Sequence, residues 1–255
     1  MKRPLFALAL MLPVFGAVAV PQAAEAQAVI EELTPQSDSA LYCNSALDFC
    51  LGVDQDGPFA TSRTLRSEIH LWDLPEVPKG LAKAEFLPQL IRLDEERAFV
   101  GVIVREEQPY SGGIFEARDL YLFEASLGEV AGSNNIGTIP ISRDISVRAC
   151  FDAEDQERRG EACSDQFAFK TDLSLVPVEG AIPEFSVTTS ATRYPKGASR
   201  LHDSARAEPI MPADLIDEPD QTCSYAARYR YDADHPGFLP ADPLPDCAEF
   251  LKSTL

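Results

Sequence analysis

The chain has 255 residues, of which 22 are basic and 41 acidic, so its formal net charge at pH 7 is −19. Proteins that bind nucleic acid or anionic membranes use clusters of Lys and Arg, so this charge argues against both kinds of partner. The length allows one large β domain or two small ones, with enough chain to bury a hydrophobic core.

The first 26 residues have the pattern of a cleavable signal peptide. Lys2 and Arg3 precede an apolar run over residues 5–20, and small residues follow it up to Ala26. The run is shorter than the roughly 20 apolar residues of a membrane span. Removing residues 1–26 takes away two basic and one acidic side chain, which leaves a formal charge of −20. We therefore expect a secreted or periplasmic protein with no membrane span after signal cleavage.

Six cysteines follow this segment, and an even number in an exported chain indicates disulfide bonds. The gaps within neighbouring pairs are much shorter than the gaps between them. This spacing favours the pairs Cys43–Cys50, Cys150–Cys163 and Cys223–Cys247. Zinc would require close C-x-x-C pairs or nearby histidines, and neither is present in the sequence.

Residues 27–40 lack sustained periodicity, so we expect a flexible lead-in to a single β-rich domain over residues 41–255. Alternating apolar residues on either side of Asn44 predict a hairpin tied by the first cysteine pair. A short helix over residues 45–50 is the alternative, since cysteines seven positions apart would share a helix face. The β-branched and aromatic runs 99–104 and 119–123 predict two strands joined by a long hairpin loop.

The second half of the chain continues the β pattern. A strand over residues 145–151 and a period-two alternation over residues 167–175 lie on either side of Cys150 and Cys163, which would clasp the neck of an extended hairpin. Residues 196–222 are rich in proline and form a long loop, and a strand resumes at residues 225–231. These elements predict an all-β, two-layer antiparallel β-sandwich stapled by disulfides. A small β-propeller or barrel is the alternative.

Calcium is the metal that the acidic loops suggest, because it binds carboxylate and carbonyl oxygens. Two loops place acids close together, and neither completes a helix-loop-helix calcium motif. The same D-x-D-G pattern is also common in plain turns. The candidate calcium ligands are Asp54, Asp56, Asp152, Glu154 and Asp155.

Aromatic and basic side chains suggest a second kind of site. Exposed aromatic rings beside polar groups bind sugars or peptides by stacking and hydrogen bonding, although tyrosines in strands also pack β cores. Two adjacent arginines lie near the end of the clasped loop 152–161, which an inhibitor could present to a partner. The candidate ligand contacts are Tyr110, Tyr225, Tyr229, Tyr231, Arg158 and Arg159.

The sequence favours a non-catalytic function. The three histidines are scattered, and no G-x-S-x-G segment is present to position a nucleophilic serine. We therefore expect an exported envelope or periplasmic protein that binds a carbohydrate ligand or a protein partner. The alternatives are a secreted hydrolase of the glycosidase type that uses paired carboxylates, and an inhibitor-like module that presents residues 152–161.

Overall fold

The computed structural model describes residues 28–37, 41–62, 67–71, 83–128, 132–160, 162–202 and 209–253. The predicted signal peptide lies outside these ranges. The described residues form sixteen strands and two short α-helices. In chain order the elements are β1 (Val29–Glu32), β2 (Thr34–Pro35), β3 (Tyr42–Cys43), β4 (Cys50–Asp54), β5 (Gly57–Ser62), β6 (Ser67–His70), β7 (Lys83–Phe86), β8 (Gln89–Arg92), β9 (Arg97–Tyr110), β10 (Gly113–Ser126), β11 (Gly132–Arg148), α1 (Ala153–Arg158), β12 (Ser164–Val176), β13 (Glu184–Tyr194), β14 (Glu218–Pro219), β15 (Ala226–Asp232), β16 (Gly237–Pro240) and α2 (Ala248–Leu251).

The strands form two antiparallel sheets, as the predicted sandwich requires. The larger sheet has eleven strands and runs in the order β1-β8-β9-β10-β11-β12-β13-β15-β16, with β7 paired to β9 and β14 paired to β13. The smaller sheet has five strands in the order β2-β3-β4-β5-β6. Most neighbours in each sheet are also neighbours in sequence, which is the pattern of a β-meander.

Alternation along β9 explains how the two sheets pack together. Val100, Val102 and Val104 are buried and point to one face of the large sheet, where they join Leu51 and Ala60 of the small sheet in one hydrophobic cluster. Because successive side chains of a strand point to opposite faces, Phe99 joins a second cluster on the other face. A single strand thus contributes to two cores.

The large sheet curls so that its last strand returns to β11. A Cβ atom at Gly137 would lie 3.0 Å from the carbonyl oxygen of Phe238, and a Cβ at Gly237 would lie 3.0 Å from that of Ile136. Only glycine therefore permits the close approach of β11 and β16 without displacement of a backbone. The second cluster fills the inside of this curl, with Leu120, Ile139, Val187 and Phe238 among its buried residues.

Three disulfides join Cys43 to Cys50, Cys150 to Cys163 and Cys223 to Cys247, which is the pairing that the spacing favours. The first bridges a cross-strand pair of β3 and β4, as expected for the hairpin rather than the helix. The third attaches α2, whose Phe250 is buried beside Phe167 in a third cluster. These bonds fit an extracellular or otherwise oxidising compartment. Among the described helices, none is long and apolar enough to cross a membrane.

Several local expectations differ from the structure. Part of the expected lead-in forms β1, which is held by antiparallel pairing with β8 rather than by a local pattern. The expected long loop after residue 104 is a tight two-residue turn at Ser111-Gly112, since β9 and β10 extend to it. Within the proline-rich region 196–222, residues 212–214 form a 3-10 turn and β14 pairs with β13.

Candidate functional site

A pocket of about 550 Å³ opens at one end of the second cluster. This volume lies within the range of small-molecule sites, about 300–1,000 Å³. The pocket is bounded by the β8–β9 turn, by β9, β10 and β15, and by the turn between β12 and β13. Its lining residues are Ala28, Leu93, Asp94, Arg97, Phe99, Glu124, Gly180, Ala181, Ile182 and Tyr231.

The apolar wall of the pocket is an aromatic pair. The rings of Phe99 and Tyr231 have centroids 4.9 Å apart and planes inclined by 31°. The ring of Phe238 packs edge-on against both, at 5.6 Å from each. Tyr231 is half-buried, so this packing fixes the ring while part of it lines the pocket.

A charged group lies beside this wall. The Nε of Arg97 donates to Asp94 Oδ2 at 2.8 Å, while one of its terminal nitrogens lies 3.4 Å from Glu124 Oε1. Asp94 Oδ1 also accepts hydrogen bonds from the backbone N–H groups of Glu96 and Arg97, at 2.9 and 2.8 Å. Asp94 therefore both closes the β8–β9 turn and holds the arginine in place.

Two pKa shifts follow from this arrangement. Partial burial acts to raise the pKa of Asp94, but hydrogen bonds from Arg97 and from the backbone of the turn outweigh it and leave the pKa below its ordinary value. Burial raises the pKa of the Tyr231 phenol, the negative charge of Glu124 raises it further, and the positive charge of Arg97 partly offsets both effects. The Tyr231 phenol therefore lies within electrostatic range of Glu124 and Arg97.

Strand register brings the aromatic and acidic groups together. Phe99 and Glu124 are directly opposite each other in the β9–β10 ladder, so both side chains project from the same face of the sheet. Tyr231 comes from β15, more than a hundred residues later in the chain, and reaches Phe99 only because the sheet curls.

Comparison with known family models, with curated proteins and with solved structures finds no match.

The predicted tyrosines separate into different environments. Tyr231 lines the pocket, whereas Tyr229 is buried in the second cluster, where desolvation and the neighbouring Tyr225 raise its pKa to about 12. Tyr225 is half-buried against the third cluster. Tyr110 ends β9 beside the Ser111-Gly112 turn, and its side chain lies outside what the structure describes.

Asp54 and Asp152, two of the predicted calcium ligands, bond the backbone of their own turns. Asp54 Oδ1 accepts from the N–H groups of Asp56 and Gly57, at 2.8 and 3.1 Å, which is the geometry of a hairpin turn. Asp152 caps α1 by accepting from the N–H of Asp155 at 2.9 Å. Glu154 lies exposed in the first turn of that helix. Within the described part of the chain, no three or more His, Cys, Asp or Glu residues form a group that could hold a metal ion.

The two predicted arginines differ in how deeply they are buried. Arg159 is only 3% exposed; its guanidinium pairs with Asp165, and its Nε donates to the carbonyl of Ala162 at 2.9 Å. Arg158 is half-buried and pairs with Asp155 at 2.8 Å. Arg159 therefore holds the clasped segment together from inside rather than projecting from it.

Sequence reasoning missed Asp94, Arg97, Phe99 and Glu124 as site residues. The only local signal was the Asp94-to-Arg97 spacing, which suits a turn whose aspartate bonds the backbone two and three residues later. Glu124 had no signal, because its role depends on strand pairing.

Proposed function

We propose that this protein is an exported, non-catalytic binding protein of the periplasm or extracellular space, which holds a sugar ligand in the pocket lined by Phe99 and Tyr231. One observation carries the proposal: a fixed aromatic ring lines a pocket together with an arginine and two carboxylates. Sugars are commonly bound by stacking of their C–H faces on aromatic rings while polar side chains bond their hydroxyl groups.

The polar side chains of the pocket suit many hydroxyl groups. Arg97 is a donor, whereas Asp94 and Glu124 are acceptors, so a sugar hydroxyl could donate to a carboxylate and accept from the guanidinium. The side chain of Arg97 lines the pocket and is 50% exposed, so the guanidinium is open to a ligand. A neutral sugar would also avoid the repulsion that the acidic protein presents to anions.

The Asp94 carboxylate is better suited to binding than to hydrolysis. A glycosidase requires one carboxyl group that stays protonated, which means a raised pKa. The pKa of Asp94 is lowered instead, and its carboxylate is occupied by Arg97 and the turn. The pocket therefore offers Asp94 as a positioning group and not as a proton donor.

The test is isothermal titration calorimetry with a panel of oligosaccharides, on the full chain and on Tyr231→Ala. Loss of the stacking surface is expected to weaken binding about tenfold. Tyr42→Ala is the matched control, because Tyr42 is 42% exposed, lies in the small sheet and is absent from the pocket lining. Far-UV circular dichroism checks that each variant folds. The proposal fails if no oligosaccharide binds, or if Tyr231→Ala and Tyr42→Ala bind as the unaltered protein does.

A further inference from the structure

The charge balance of the pocket points to a more specific ligand. We infer that the sugar carries an ammonium group and that Glu124 is its counter-ion. This inference rests on the proposed function, since it names the class of sugar that the same pocket takes.

The net charge of the pocket depends on which carboxylate pairs more closely with Arg97. Asp94 makes a 2.8 Å contact with the guanidinium and is itself fixed by two backbone N–H groups, so these two opposite charges neutralise each other. Glu124 is the second carboxylate on the same guanidinium, and its contact is longer, at 3.4 Å. The three side chains together carry one net negative charge, and it is the weakly held Glu124 that has bonding capacity left for a ligand.

The position of Glu124 suits a cation better than a neutral hydroxyl. Its side chain is 21% exposed, so water is partly excluded and a charge pair there is stronger than at the open surface. It lies opposite Phe99 across the β9–β10 ladder and close enough to Tyr231 to raise the pKa of its phenol. An ammonium group beside Glu124 would therefore also lie near the aromatic wall of the pocket, and aromatic rings attract cations.

The whole chain adds a longer-range preference. A net charge of −19 produces a negative potential that raises the local concentration of cations and lowers that of anions, most strongly at low salt. An acidic sugar would be repelled by this field and by Glu124. A sugar whose amine is acetylated keeps the ring for stacking but loses the positive charge. Comparing it with the free amine therefore separates the contribution of stacking from that of charge.

The experiment compares oligomers of glucosamine with oligomers of N-acetylglucosamine of the same length, by calorimetry at mildly acidic pH where the free amine is protonated. The glucosamine oligomer is expected to bind about tenfold or more tightly, which is the size of a charged hydrogen bond. That advantage should shrink at about 1 M salt, although by less than it would for a fully exposed charge pair, because partly buried charges are screened less. Both measurements use the unaltered protein.

Glu124→Gln tests the residue itself, since glutamine keeps the size of the side chain and removes its charge. The variant should lose the preference for glucosamine oligomers. Its amide oxygen still accepts a hydroxyl hydrogen bond, so the affinity for acetylated oligomers should fall much less than the affinity for glucosamine oligomers. Glu116→Gln is the matched control, because Glu116 lies on the same strand and also pairs with an arginine of β9, at 3.0 Å from Arg105, outside the pocket. Its preference should stay that of the unaltered protein.

The outcomes separate the two proposals. If both oligomers bind equally well and independently of salt, the pocket binds sugars as proposed and the inference about the ammonium group is overturned. If Glu124→Gln weakens both oligomers alike, Glu124 shapes the pocket without acting as a counter-ion, and the inference is again overturned. If neither oligomer nor any other sugar binds, the proposed function itself fails.

Discussion

Replacing Arg159 by alanine should strongly destabilise the protein, because the arginine forms a buried ion pair. The side chains of Arg159 and Asp165 are 3% and 4% exposed, and the guanidinium also donates to the carbonyl of Ala162 at 2.9 Å. Removing one partner leaves an uncompensated charge away from water, which costs about 3–5 kcal/mol. For a chain of this size, that loss corresponds to a fall in Tm of about 10 °C. Urea unfolding, followed by far-UV circular dichroism, measures the loss of unfolding free energy.

Arg158→Ala is the matched control, since it removes the adjacent arginine from the same segment. The Arg158 side chain is 20% exposed and pairs with Asp155 within α1, so water can replace much of what is lost and the destabilisation should be much smaller. Replacing Arg159 by Met together with Asp165 by Leu should recover most of the stability. Equal losses for the two arginines would refute the reasoning. If Arg159→Ala stayed as stable as the unaltered protein but lost binding to a partner, that result would support the alternative of an inhibitor-like module that presents residues 152–161.

Two further predictions concern stability. The pKa of Tyr229 is raised from 10.0 to about 12 by burial, so the unfolded chain releases this proton first and stability should fall as the pH rises from 10 towards 12. Urea midpoints measured across that range should fall less steeply for Tyr229→Phe than for the exposed control Tyr42→Phe. Parallel curves for the two variants would contradict the assignment. Replacing each cysteine pair by serines should lower the unfolding free energy, and the loss should grow with the number of positions that the bridge spans. We expect about 2 kcal/mol for Cys43–Cys50, about 3 kcal/mol for Cys150–Cys163 and about 3.5 kcal/mol for Cys223–Cys247, which span 7, 13 and 24 positions. Losses in a different order would show that native-state contacts outweigh loop entropy.

Local patterns predicted the parts of the fold that are built from local contacts. The hairpin at Cys43, the clasp at Cys150 and the alternation over residues 167–175 all appear, because each involves neighbouring strands. The β1–β8 ladder was not predicted. Val29 pairs with Arg92 across a long stretch of chain, and local sequence patterns do not indicate such distant pairing. The register shifts in the β10–β11 ladder after Arg118 and Leu122 were also not predicted, because a bulge changes the face on which a side chain lies without changing the composition of the strand.

The candidate site was predictable only in its aromatic part. Tyr231 stood out because tyrosines alternate along β15, but the same alternation put Tyr229 in the core, so the pattern could not tell which ring lines a pocket. Asp94, Arg97 and Glu124 were three of many charged residues in an acidic chain. Their convergence depends on the β8–β9 turn and on the pairing of β9 with β10, which are properties of the folded sheet.

The third disulfide connects the fold to the pocket. Cys223 precedes β15 and Cys247 follows β16, so the bond closes a loop that contains the whole hairpin carrying Tyr231. Both cysteines are buried, and α2 anchors the closed loop through Phe250 in the third cluster. Within the loop, Phe238 packs against Tyr231 and fixes its ring beside Phe99. Because the ring is positioned before a ligand arrives, little side-chain entropy remains to be lost on binding. Oxidative folding would therefore stabilise the chain and also preorganise the surface on which we propose that the sugar stacks.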